Sequence, residues 1–280
     1  MTALRWGLLS TANINRMILG GAAPSERAEV VAVASRDGAR AQAYAGEHGI
    51  ERAHASYEAL LADPDVDAVY ISLPNGMHHE WTMRALEAGK HVLCEKPYSR
   101  RPADVEEGFA KAEASGLVLM EAFMYRHHPQ TREVERLVRD GALGRLVSVT
   151  ARFTFPLTDL ANVRALADLD GGALMDVGCY CISGARLVAG EPQEVAAHQV
   201  TGSTGVDMGL YGAMRFADDV VAIFEASFLA PVRQSLEIAG EDGVLTVDSP
   251  FRIDWPGEAR LRRGDDVRVL DLPAADSYRL

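Results

Sequence analysis

The sequence predicts an α/β chain in two parts: a doubly wound parallel sheet over residues 1–122, then an α+β domain over 123–280 built on an open, mainly antiparallel sheet. Two patterns carry this. Short apolar runs alternate with amphipathic helical periods up to about residue 122, and strand-like runs then follow one another with few helices between them. No repeat or flexible linker stands out near 122–126, so the junction is expected to be tight, with the ligand cleft between the two domains.

In the first part the strands are expected at "LRWGLLS", "AEVVAVAS", "VDAVYISLP", "KHVLCEK" and "GLVLMEAF". The stretch "NGMHHEWTMRALEAGK" predicts a helix with Asn75 as N-cap, apolar positions at Met77, Trp81 and Ala85, and Gly89 as its stop. In the second part a helix is expected from Gln130 to Asp140, a strand at "RLVSVTARFTF" and a second helix from Gly172 to Val188. Strands then follow at "EVAAHQVTG", "VVAIFEASF", "SLEIAG", "GVLTVDS" and "VRVLDL".

The 40 acidic and 28 basic side chains leave a net charge of −12, which argues against nucleic acid or anionic lipid as partner. Cys94, Cys179 and Cys181 have no partner Cys/His pair at zinc-finger spacing and read as reduced thiols of a cytoplasmic protein. The N-terminus lacks a basic segment with a long apolar run, and no later run reaches membrane length, so neither export nor anchoring is expected. Adjacent histidines, His78/His79 and His127/His128, diverge by about 100° on a helix and no carboxylate motif completes a site, so no metal is expected.

A dinucleotide needs a strand, a tight turn whose amides approach the pyrophosphate, and a helix facing it, the Rossmann arrangement. Residues 4–20 supply that order, with Ser10, Thr11, Ala12, Asn13 and Ile14 as the turn, although the glycine positions of Gly-x-Gly-x-x-Gly hold Ser10, Ala12 and Asn15. The second strand ends in Ser35 and Arg36, where NAD enzymes present an acid to the ribose. A hydroxyl and a guanidinium suit a 2'-phosphate, so NADP is the expected cofactor, with NAD the alternative.

The segments "GLLSTANI", "SLPNGMHHEWTMRALEAGKHVLCEKP", "LMEAFMYRHHPQ" and "GGALMDVGCYCI" together resemble the Gfo/Idh/MocA family of NAD(P)-dependent oxidoreductases, from residue 4 to the C-terminus. "GKHVLCEKP", with Glu95, Lys96 and Pro97, is the most specific part. The resemblance implies that Lys96 sits beside the nicotinamide and reaches the substrate hydroxyl. It also implies that Leu73, Pro74, Asn75, His78 and Glu95 border the cofactor. Pro97 restricts Lys96 to an extended pose, and the bond before it is open to either isomer.

Asp176 and Tyr180, four apart, share a helix face. Many members of the family carry histidine where this chain has Tyr180; tyrosine is typical of its glucose-fructose oxidoreductase and dimeric dihydrodiol dehydrogenase-like branch. The expected chemistry makes Tyr180 the proton acceptor from a hydroxyl, Lys96 the stabiliser of the alkoxide and Asp176 an orienting group. Asn162 and Arg164 are expected to hydrogen-bond substrate; Tyr125, with Glu121, Arg126 and His128, is expected to line the cleft and meet substrate or else to tie the domains together. Phe153 and Phe155 are read as core residues first and as sugar-stacking residues second.

The expected function is thus NADP-dependent oxidation of a sugar, as an aldose 1-dehydrogenase, or of a vicinal diol, as a trans-dihydrodiol dehydrogenase. The alternatives are a keto-sugar reductase of the anhydrofructose type, using the same residues in reverse, and a non-catalytic dinucleotide-binding regulator. The resemblance also implies a homodimer through the open sheet. It further implies another helix beyond a segment like Asp276–Leu280, so that either the gene product is short or the sequence is incomplete.

Overall fold

The computed structural model describes residues 3–255 and 257–279. Leu280, on which the expectation about the chain's end falls, lies outside them. The chain divides into two compact units, one ending at Phe123 and the other beginning at Met124.

The first unit runs β1 (Leu4–Leu8), α1 (Asn15–Ala22), β2 (Ala28–Ala34), α2 (Gly38–His48), β3 (Arg52–His54), α3 (Tyr57–Leu61), β4 (Ala68–Ile71), α4 (His78–Glu87), β5 (His91–Cys94), α5 (Pro102–Ala114) and β6 (Leu119–Glu121). All six strands are parallel, in the order β3-β2-β1-β4-β5-β6. The sheet is apolar on both faces because helices cover both. One face packs Leu8, Val33 and Tyr70 against Ile14, Ile18 and Ala45 of the α1/α2 layer. The other packs Leu9, Val69 and Ile71 against Leu60, Trp81, Ala85 and Ala112. This order reverses direction at β1 and β4, so the carboxyl ends of those strands form the crevice that such sheets use for ligands.

The expected start of the fourth helix is corrected. Pro74 is extended, Asn75–Met77 forms a 3₁₀ turn, and the α-helix opens at His78 without a side-chain cap. Gly89 does follow the helix at φ +76°, a conformation that favours glycine.

The second unit contains α6 (Pro129–Arg139), β7 (Leu146–Thr154), a π-helical turn (Leu174–Gly178) leading into α7 (Cys179–Ala189), and β8 (Glu194–Thr201), β9 (Asp207–Arg215), β10 (Val221–Ser227), β11 (Arg233–Gly240), β12 (Val244–Val247), β13 (Ala259–Arg263) and β14 (Asp266–Val269). Its eight strands run β14-β13-β12-β11-β7-β10-β9-β8, antiparallel except for β7 with β10. The π turn and α7 pack on β7 and β10, so Val149, Ala151 and Phe153 of β7 are buried. Along β10, buried Ala222 and Phe224 alternate with exposed Val221 and Ile223. The expected Gly172–Val188 helix is therefore two pieces, and a uniform 100° spacing does not span Asp176 to Tyr180.

At the amino ends of β1 and β4, Arg5 Nε and Nη2 donate to Asp67 Oδ2 and Oδ1 at 3.0 and 2.8 Å. The hydrogen bond from Arg5 is the main reason the Asp67 carboxyl titrates at about 2. A depressed carboxylate pKa contributes stability above the unfolded value of about 3.9, and that contribution disappears as pH falls through the folded value. Asp67→Asn is expected to lower the urea midpoint near neutral pH, and the gap from wild type is expected to close as pH falls from about 4 toward 2. Paired urea titrations across that range check this.

Candidate active site

At the carboxyl end of β1 the chain makes its turn without glycine. Ser10 Oγ accepts from the Ala12 amide at 3.1 Å and lies 2.7 Å from Ser72 Oγ, which follows β4. Asn15, fully buried, donates from Nδ2 to the Ser10 carbonyl at 2.8 Å and accepts at Oδ1 from Ser72 Oγ at 2.6 Å. This closed triangle fixes the turn after β1 against the loop after β4. Asn15, one of the substituted glycine positions, and Ser72 hold this turn in a way that the glycine pattern could not reveal.

The amides of Thr11, Asn13 and Ile14 take no acceptor among the described residues, while those of Asn15, Arg16 and Met17 bond back to the carbonyls of Ala12, Asn13 and Ile14. Three donors at a strand-to-helix turn suit a pyrophosphate. At the end of β2, Ser35 Oγ accepts from the Asp37 amide at 3.2 Å and keeps its own proton to donate. Asp37 is committed as the cap of α2, accepting from the Ala39 and Arg40 amides. The Arg36 side chain is exposed, with no hydrogen bond or ion pair among the described residues. Ser35 and Arg36, rather than a carboxylate, directly follow the strand, and these groups fit a dinucleotide with a 2'-phosphate.

The loop after β4 carries Leu73, Pro74 and Asn75, and the His78 ring lies behind it. His78 is 1% exposed, with Nδ1 2.8 Å from the Pro97 carbonyl and Nε2 2.7 Å from the Leu73 carbonyl. Its place as a direct cofactor contact is corrected: the ring joins two loops. Burial lowers its pKa, with Lys96 adding to that effect, so the ring is held toward the neutral form, which donates to one carbonyl at a time.

Lys96 follows β5, half-buried, and its peptide to Pro97 is cis. Glu95 accepts a short hydrogen bond from the hydroxyl of Tyr70 on β4, a partner that sequence reasoning did not name. Tyr98, after Pro97, donates its amide to Glu121 Oε1 at 2.8 Å. The Glu-Lys-Pro segment is thus tied to the sheet on both sides.

In the second unit, Tyr180 is 6% exposed, at centroid distances of 5.9, 5.7 and 5.6 Å from Tyr125, Phe153 and Phe251, with its hydroxyl 3.5 Å from Met124 Sδ. Tyr125 is 1% exposed, its hydroxyl lies 2.8 Å from Ser183 Oγ, and burial pushes its pKa up to about 12. The expectation that Tyr125 meets substrate is corrected: it is a wall of the Tyr180 pocket. His128 caps α6 by accepting from the Gln130 amide. Asp176 lies in the π turn, and Arg164 Nε donates to its Oδ2 at 2.8 Å. Asn162 Oδ1 accepts from the Arg164 amide at 3.1 Å, shaping the loop.

A six-stranded parallel sheet with a phosphate-ready turn, joined to a mainly antiparallel eight-stranded unit, defines a nucleotide-dependent oxidoreductase of two-domain type. Residues 5–123 match the model of the oxidoreductase family with an NAD-binding Rossmann fold, and 131–246 match the GFO/IDH/MocA C-terminal domain. The chain belongs to the Gfo/Idh/MocA family of oxidoreductases.

It is 43% identical over 280 residues to the D-xylose 1-dehydrogenase (NADP(+)) 2 of Haloferax volcanii, covering 99% of this chain and 86% of that one. It is 33% identical over 275 residues to the trans-1,2-dihydrobenzene-1,2-diol dehydrogenase of Xenopus laevis, covering 97% and 82%. The solved structure of KijD10, a 3-ketoreductase from Actinomadura kijaniata in complex with NADP and TDP-benzene, superposes with a TM-score of 0.90 at 34% identity. That match covers 99% of this chain and 86% of the other.

Asn15→Ala would leave the Ser10 carbonyl and the Ser72 hydroxyl without their buried partner. The expected cost is about 1–3 kcal/mol, read as a lowered midpoint in thermal or urea unfolding. Asn15→Asp, which keeps the acceptor and loses the donor, should also be destabilised near neutral pH, because its charge is then buried without a cation.

Proposed function

We propose that the chain is an NADP-dependent oxidoreductase that moves hydride between nicotinamide and a hydroxyl-bearing carbon of a sugar or vicinal diol. The observation that carries this reading lies in the first unit. The Glu95-Lys96-Pro97 segment and the unglycinated phosphate turn leave the same carboxyl edge of one parallel sheet. Similarity to an NADP-dependent xylose 1-dehydrogenase and to a dihydrodiol dehydrogenase supports the substrate class.

The turn Ser10–Ile14 holds the pyrophosphate through its amides, and Ser35 and Arg36 hold the 2'-phosphate. Leu73, Pro74 and Asn75 border the nicotinamide. NADP, when bound, supplies the hydride acceptor or donor. Tyr180 takes the hydroxyl proton at its phenolic oxygen, Lys96 stabilises the oxygen as charge develops, and Asp176 orients the substrate or Lys96. Reduction of a keto-sugar runs the same roles backward, with Tyr180 as the acid. The similarity to a 3-ketoreductase favours keeping that direction as the second reading.

The sheet face of the second unit away from α7, with Tyr211, Val221 and Ile223 exposed, supports a homodimer. Three free cysteines support a cytoplasmic location. No helix of the described residues is long and apolar enough to cross a membrane.

Reduction of NADP, and separately of NAD, is to be followed by absorbance against aldoses, trans-diols and, in reverse, keto-sugars. Turnover with one group is expected, and silence across all of them would overturn the reading. Lys96→Met and Tyr180→Phe are each expected to lower kcat by about 10²–10⁴-fold. Arg36→Ala should raise the KM for NADP by about 10- to 100-fold while leaving that for NAD nearly unchanged.

A further inference from the structure

The loop before the π turn is built around the backbone of Arg164. The Arg164 amide donates to Asn162 Oδ1, and its carbonyl accepts from the Gly172 amide at 2.8 Å. Ala165, next in the chain, is fully buried. At Gly171 a β-carbon would stand 2.5 Å from the Arg164 carbonyl oxygen, so the two backbones meet where only glycine fits. Gly172 has φ +121°, a value that L side chains rarely adopt, and a β-carbon there would run into Asp207 Oδ1. Asp207, from β9, accepts with Oδ2 from the Leu174 amide at 2.6 Å, anchoring the first residue of the π turn.

The product of these constraints is a fixed approach between Arg164 Nε and Asp176 Oδ2 at 2.8 Å, with the carboxylate side chain 13% exposed and the guanidinium 45% exposed. Of the guanidinium's donors it is Nε, the one nearest the stem, that is directed at Asp176, which ties this arginine to the carboxylate. We propose that Arg164 is a positioning residue for the reaction, holding the Asp176 carboxylate in one orientation and acting on substrate only through it. This rests on the role given to Asp176 above.

The pair is half-exposed on the arginine side, where solvent screens it, so its loss should appear in turnover more than in stability. Arg164→Ala is expected to lower kcat by about five- to fiftyfold, with the KM for substrate changed less than about twofold and the unfolding midpoint nearly unchanged. Arg164→Lys is expected to recover part of the loss. Guanidinium chloride, added to Arg164→Ala well below unfolding concentrations, should recover part of it as well.

The deciding measurement is the double-mutant cycle with Asp176→Asn. If Arg164 acts through Asp176, removing it from Asp176→Asn adds no further loss. A KM rise that persists in the Asp176→Asn background would make Arg164 a substrate contact and overturn the proposal. Full turnover in Asp176→Asn would overturn both the proposal and the role of Asp176. Loss in Asp176→Asn with wild-type kinetics in Arg164→Ala would overturn the proposal alone.

Discussion

The closed triangle of Ser10, Asn15 and Ser72 is the constraint on which the nucleotide end of the first unit depends. A pyrophosphate turn is usually opened by glycines, which let the backbone come close and let the helix start against the strand. Here the helix-side position is a buried asparagine, and its amide has to be satisfied on both ends or its burial would be costly. The Ser10 carbonyl and the Ser72 hydroxyl satisfy it, and in doing so they fix the loop after β4 relative to the turn after β1. What glycine would supply through absence of a side chain, this chain supplies through a saturated hydrogen-bond network.

The same logic continues along the sheet edge. The loop after β4 is held by Ser72 on one side and by His78 on the other, and His78 reaches the Pro97 carbonyl next to Lys96. Tyr70 and Glu121 hold the residues on either side of Lys96 and Pro97. Consecutive loops of the parallel sheet are therefore stitched by buried and half-buried polar side chains, and the buried ones would be unfavourable if left unpaired. A lysine expected to carry a reaction sits in a segment whose backbone has few ways to move.

Much of this was legible in the sequence because periodicity is a strong signal where both faces of a sheet are covered. The strands β1, β2, β4, β5 and β6 read directly from their apolar runs. The strands β3, β9 and β13 did not: "RAH" is too short, "DMGLYGAMR" is broken by Gly209 and Gly212, and "ARLRR" hides its buried Leu261 among arginines. The family resemblance carried the proposal of Lys96, Tyr180 and Asp176, while partners could not be read, since Asn15 with Ser72 and Tyr70 with Glu95 are separated by 57 and 25 residues. His78 and Tyr125 were misplaced for one reason. A polar side chain near a motif looks the same in sequence whether its tip faces the ligand or a backbone carbonyl behind it.

The surroundings of Tyr180 set what its proposed role as proton acceptor requires. Its ring is walled by Tyr125, Phe153 and Phe251, so a phenolate there would have little water to solvate it, and proton transfer needs a compensating cation. The second unit does place a cation against this aromatic cluster: the Arg252 guanidinium lies 5.2 Å from the centre of the Trp255 ring, which itself packs edge-on against Phe153. Yet Arg252 is held by Asp254 through two hydrogen bonds of 2.8 and 2.6 Å, so most of its charge is already answered. A guanidinium locked in a bidentate pair makes a poor partner for a charge that appears only during the reaction. An ammonium on a flexible stem, free of any planar bidentate commitment, is better suited to answering such a charge.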